Sequence, residues 1–314
     1  MATVVFPVQI SAVEDAEALH NAFKGWGTDE KVIVEILGHR NAHQRQLIRK
    51  SYEEIFQEDL VKRVESEISG DFEKAVYRWI LEPADRDAVL FNVAVRNANK
   101  DYNVIVEIAT VLSPEELLVV RRAYHNRYKR ALEEDVAAHT SGHLRQLLVG
   151  LVSSFRYNGS EINAKLAEAE ADVLHNAIKE KKGNLEEAIR ILSTRSKTQL
   201  IATFNRYREI HGASISKKLL DEASDDYLKA LHTAVRCIND PTKYYEKLIR
   251  NAIKKFGTDE DALTRAIVTR AEKDLKNIKE LYYKRNSVPL EQALAKEVSG
   301  DYKKFLLTLL GKEE

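Results

Sequence analysis

Apolar residues in the first quarter of the chain recur at spacings of three and four, in five successive stripes. Leu19, Ala22 and Phe23 form the first, and Val32, Ile33, Ile36 and Leu37 the second. Leu47, Ile48, Tyr52, Ile55 and Phe56 follow, then Leu60, Val61, Val64 and Ile68, then Phe72, Ala75, Val76, Trp79 and Ile80. Strict alternation of the strand kind is absent over any useful length. The pattern predicts five short helices, a unit too small to bury its apolar faces alone and expected to pack on neighbours.

The unit returns three times. Arg40, Arg195 and Arg270 are each followed twelve residues later by a tyrosine, Tyr52, Tyr207 and Tyr282; Leu112 takes the same place ahead of Tyr124. Thirty residues after each anchor stands "SGDF", "SGHL", "SDDY" or "SGDY". Anchors lie 72, 83 and 75 residues apart, so four copies of about 70 residues are expected. The expected division is a short tail over 1–13, then copies over 14–85, 86–167 (with a connector), 168–243 and 244–314.

Composition narrows the classes. Charge balances at 49 basic and 49 acidic residues, so no global attraction to nucleic acid or anionic lipid exists, and any phosphate binding must be local or carried by a cation. Only 5 prolines and 12 glycines in 314 residues favour long helical content. Cys237 is the one cysteine, which excludes an intrachain disulfide and suggests a reducing compartment. The first residues lack a signal-peptide pattern, and no apolar run approaches a membrane span. A cytoplasmic chain, all-α, is the expectation.

Candidate chemistry sits in two loops. "GWGT" (Gly25–Thr28) aligns with "KFGT" (Lys255–Thr258), while copies two and three offer "NANK" and "EKKG". Thirty-nine residues past each threonine position stand Glu67 and Glu297; copy three has Glu222 and copy two His139. Only copies one and four join a glycine turn to a distant acid. Calcium suits this set, because it takes six to eight oxygens and accepts backbone carbonyls beside a carboxylate. Glycine lets successive carbonyls converge. If Glu67 ends a rising helix, its carboxylate reaches the Gly25–Thr28 loop, and one carboxylate on a divalent cation leaves net positive charge for a lipid phosphate. Thr28, Asp29 and Glu30 also read as a helix cap and acidic first turn.

Four repeats, the "GxGTDE" loop, the acid ahead of "SG" and the final "SGDYKKFLLTLLG" together resemble the annexin family, its plant members most closely. The resemblance implies one slightly curved disc of four repeats that binds anionic phospholipid membranes reversibly and peripherally through Ca2+. It implies calcium ligands from the carbonyls of Phe23, Gly25 and Gly27 with the Glu67 side chain, and from Ile253, Lys255 and Gly257 with Glu297. Secondary sites would use Thr28 with Glu30 and Thr258 with Glu260. Lys255 stands where a glycine is usual, and its side chain could reach a phosphate. Trp26, held between loop glycines, is expected at the lipid interface, and Trp79 in the core.

The resemblance also brings rival readings. A histidine near His39 and His43 has been linked to peroxidase activity in plant relatives, yet a helix stop around Gly38 should separate the pair, and no catalytic partner can be named. One member of the redox cysteine pair proposed for relatives falls at Thr110, leaving Cys237 alone. "IRI" (Ile189–Ile191) resembles an F-actin motif, but its isoleucines lie on an apolar stripe. No phosphate-binding loop pattern occurs. Binding without a catalytic step is the expectation, with peroxidase-type enzyme and actin-linked scaffold as alternatives.

Overall fold

The computed structural model describes residues 1–24, 27–97, 100–153, 155–180, 185–222, 224–254 and 257–312. Twenty α-helices and no strand occur among them. Copy one contains α1 (Ala12–Ala22), α2 (Glu30–Leu37), α3 (Ala42–Phe56), α4 (Leu60–Glu67) and α5 (Gly70–Ile80). Copy two contains α6 (Pro83–Arg96), α7 (Tyr102–Val111), α8 (Pro114–Tyr128), α9 (Leu132–His139) and α10 (Gly142–Ser153). Copy three follows with α11 (Ala164–Glu180), α12 (Leu185–Thr194), α13 (Lys197–His211), α14 (Ile215–Glu222) and α15 (Asp226–Asn239). Copy four is α16 (Pro241–Lys254), α17 (Glu260–Arg270), α18 (Leu275–Asn286), α19 (Leu290–Glu297) and α20 (Gly300–Leu309).

Local chemistry sets these boundaries. Asn41 with Gln44, and Ser113 with Glu116, form reciprocal capping boxes at the starts of α3 and α8. The helices α3, α8, α13 and α18 all end on a left-handed residue in the same register: Gln57, Lys129, Gly212 and Ser287. Only Gly212 adopts that conformation without a steric cost.

The helices sort into two compact units, one of residues 1–86 with 242–314, the other of residues 87–241. In the first, α2, α5, α17 and α20 pack on one another. Trp79 of α5 is fully buried and donates to the Leu37 carbonyl at 2.7 Å. The buried Arg45 guanidinium lies 3.7 Å from the Trp79 ring centre and pairs with Glu272 at 3.0 Å. Burial lowers its pKa to about 10 against the opposing pull of Glu272. The residues ahead of α1 strap onto copy four: Thr3 N–H donates to Ala271, its hydroxyl to Leu309, and Lys276 N–H to the Met1 carbonyl.

In the second unit α7, α10, α12 and α15 play the parts of α2, α5, α17 and α20. The connector before α11 inserts the buried Arg156, whose guanidinium donates to the Leu192 and Arg195 carbonyls at the end of α12. Thr110, Cys237, Ile189 and Ile191 are all buried, so the "IRI" isoleucines are core.

The stripes of copy one hold with three corrections. Val34, not Val32, joins Ile33 and Leu37 in the core, and Leu47 and Ile55 face solvent. Helix α3 buries Gln44, Arg45, Ile48 and Tyr52, and packs chiefly on α1.

Candidate metal centres

Helix α1 ends at Ala22 with Phe23 as its C-cap, and the chain returns when Asp29 N–H donates to the Ala22 carbonyl at 2.9 Å. Copy four closes the same way, Asp259 N–H to the Ala252 carbonyl at 3.0 Å. Gly27 and Gly257 take φ of 104° and 80°, with open space where a side chain would stand. Backbone conformation, not crowding, therefore demands glycine there. Asp29 and Asp259 are the caps of α2 and α17. With capping done by the aspartate, the Thr28 hydroxyl donates instead to the Glu67 carbonyl at 3.1 Å, pinning the loop to the end of α4. The distant acid thus stands at the loop, as its spacing suggested.

A cation of the chain's own, Arg63, stands between them. Arg63 Nη2 lies 3.0 Å from the Phe23 carbonyl oxygen and 3.1 Å from Glu67 Oε1. A carbonyl and a carboxylate forty-four residues apart converge on one positive charge, which is the donor chemistry calcium prefers. In copy four the corresponding space is a cleft of about 670 Å³ lined by Ile253, Gly257, Val288, Ala293, Lys296 and Glu297. Glu297 has no hydrogen-bond or ion-pair partner among the described residues.

The expected secondary ligands Glu30 and Glu260 share one cleft of about 440 Å³ with Glu67 and Glu297. Asp71 and Asp301, from "SGDF" and "SGDY", line it too. Sequence reasoning missed those two aspartates, although their place beside the repeated glycines was a usable signal. Among the described residues no three His, Cys, Asp or Glu side chains are grouped closely enough for a metal.

Copies two and three differ. In copy two Lys100 takes the position of Thr28 and donates to the His139 carbonyl at 2.9 Å, with no carboxylate at the end of α9. Asp135, at the position of Arg63, is buried and pairs with Arg96 and Arg130 at 3.1 Å. The loop of copy three, residues 181–184, lies outside the described residues, as do Gly25, Trp26 and Lys255. His39 follows α2, its Nδ1 2.9 Å from the Glu35 carbonyl, while His43 opens α3 beyond the Asn41 cap. The pair straddles a turn.

Among the described residues no helix is long and apolar enough to cross a membrane. A family model described as Annexin matches residues 14–79, 86–151, 169–234 and 244–309. The chain is 68% identical over 314 residues to "Annexin-like protein RJ4" of Fragaria ananassa, covering all of both chains. It is 52% identical to "Annexin D6" of Arabidopsis thaliana, over 99% of each. Its fold matches the solved structure of "ANNEXIN III" with a TM-score of 0.93 at 31% identity, covering 100% of this chain and 98% of that one. A structure described as calcium-bound annexin (Sm)1 matches with a TM-score of 0.84 at 29% identity, over 99% and 93%.

Proposed function

The chain belongs to the annexin family, whose members bind phospholipid in a calcium-dependent manner, and on that premise we propose that copies one and four are its working sites. The observation that carries this reading is the convergence of the Phe23 carbonyl and the Glu67 carboxylate on a single cation. Copy four repeats the loop closure, the positive-φ glycine and the acid. Copy two has neither glycine nor acid at those positions.

Phe23, Gly25 and Gly27 with Glu67, and Ile253, Lys255 and Gly257 with Glu297, are the proposed ligands. Thr28 with Glu30, and Thr258 with Glu260, are proposed for weaker secondary sites. Bound calcium would supply positive charge shared between these oxygens and an anionic lipid phosphate. The chain's own part is to aim carbonyls through the glycine turns and to hold each carboxylate at a helix end. Trp26 is proposed to enter the interface, with its ring in the headgroup layer. Two sites on one compact unit add avidity, so occupancy of both binds a vesicle more tightly than either alone. The "IRI" segment offers a filament no isoleucine, since both are buried.

Cosedimentation with phosphatidylserine-containing liposomes across calcium concentrations tests the reading. Wild type should sediment with calcium and release on chelation, and the Glu67→Gln, Glu297→Gln double variant should stay in solution. A double variant with the wild-type calcium requirement would overturn the site assignment. Trp26→Ala should weaken binding to vesicles poor in anionic lipid; unchanged binding there removes the interface role.

A further inference from the structure

We infer that Arg63 is a tethered competitor for the calcium site of copy one, so that the two sites fill in order, copy four first. This rests on the proposed reading of Phe23 and Glu67 as calcium ligands.

The guanidinium holds the oxygens the metal would need. Nη2 is within 3.1 Å of both the Phe23 carbonyl and Glu67 Oε1, whereas calcium must approach its oxygens to about 2.3–2.6 Å. Two positive centres cannot share that space, so copy one binds calcium only when Arg63 leaves. Its hold is incomplete, because Nε is buried without a hydrogen-bond partner. It also has somewhere to go: Nη1 already lies 3.7 Å from Glu58, a half-exposed carboxylate that accepts from the Tyr52 hydroxyl. A side-chain rotation toward Glu58 keeps the guanidinium paired while freeing Glu67.

Copy four lacks both halves of this device. Val288 stands at the position of Glu58 and Ala293 at that of Arg63. Both line the open cleft beside Glu297. Copy four places no cation at the position of Arg63; the Lys296 that lines its cleft stands instead at the position of Ser66. A partly exposed guanidinium pair is worth about tenfold in an equilibrium constant once solvent screening is counted.

Calorimetric titration of the full chain with calcium chloride, one site at a time, reads this directly. In a Glu297→Gln background, Arg63→Met keeps the aliphatic stem and removes the charge; it should tighten calcium binding about tenfold. In a Glu67→Gln background, Ala293→Arg should loosen the copy-four site by a similar factor. Circular dichroism and melting temperature without calcium check the fold. If Arg63→Met proves unfolded, the Ala293→Arg arm decides alone.

Affinity unchanged or weakened in the Arg63→Met arm, with calcium still bound through Glu67, overturns the competition and leaves the site assignment standing. No calcium heat in either single-site background, charge removed or not, overturns the site assignment and the competition with it. A rise in affinity that vanishes when Glu67 is also changed to Gln supports both.

Discussion

Copies one and four close their loops alike in the described residues. Both loops close by an aspartate N–H on the carbonyl seven residues back, both carry a glycine at positive φ, and both end the fourth helix on glutamate. They part at Glu58 and Arg63 against Val288 and Ala293, and also at Gly25 against Lys255 and Ser66 against Lys296. In copy one Arg63 pairs with the Glu67 carboxylate, whereas in copy four Glu297 lines a cleft with Lys296 and makes no ion pair among the described residues. Backbone and motif alone therefore do not rank the two proposed sites; on the proposed reading, the charge beside each carboxylate does.

The widest separation between the copies should appear in single acid substitutions. Glu297→Gln is expected to raise the calcium needed for half-maximal liposome sedimentation roughly hundredfold, and Glu67→Gln only about tenfold. Equal effects would erase the distinction.

Copy two provides a control in which no calcium is expected. Asp135 sits where Arg63 does, and its side chain is 2% exposed between Arg96 and Arg130. Burial raises its pKa, but hydrogen bonds from Tyr124, Arg130 and Arg96 outweigh that and hold it below its ordinary value. A depressed carboxylate contributes stability that is present above the ordinary carboxylate range and lost as pH falls through the folded pKa. Asp135→Asn should cost about 3 kcal/mol at pH 7, read by urea unfolding, with that part of the acid sensitivity removed. Its calcium isotherms should match wild type.

Gly27→Ala and Gly257→Ala should each cost about 1–2 kcal/mol of local stability, because both φ values lie in the left-handed half of the map. Similar losses in both copies, seen by hydrogen exchange at the loops, would support the shared backbone; a large disparity would break it. Thr28→Val should have the smallest effect, under about 1 kcal/mol, by removing its bond to the Glu67 carbonyl. Thr258 makes no such bond among the described residues, so Thr258→Val should leave the melting temperature unchanged.

Much of this was legible in the chain itself. Helical spacing located the stripes of copy one, and the repeated "SG" and tyrosine marks located the other copies. The thirty-nine-residue spacing brought Glu67 to Thr28. What stayed hidden was of two kinds. Periodicity reports which face of a helix is apolar, not which distant helix covers it, so the pairing of α5 with α17 and α2 with α20 was out of reach. The left-handed ends at Gln57, Lys129 and Ser287 carry no glycine to announce them. Arg63 is hidden for a similar reason: in sequence it is one more charge on a solvated face, and only coordinates show its nitrogen on the Phe23 carbonyl.

The strap from Met1 to Thr3 gives the molecule an order of assembly. Residues 87–241 are contiguous and hold every helix of their unit's four-helix core, whereas the other unit needs residues 1–86 and 242–314 together. Among the described residues Thr3 bonds to Ala271 and Leu309, more than 260 residues further along the chain. On a ribosome the middle is therefore expected to reach native structure while the opening segment waits, reversing the usual progression from first residue to last. Pulse-labelled hydrogen exchange during refolding should show α7 and α15 protected ahead of α2 and α5; simultaneous protection would mean that closure of the long loop is not the slow step.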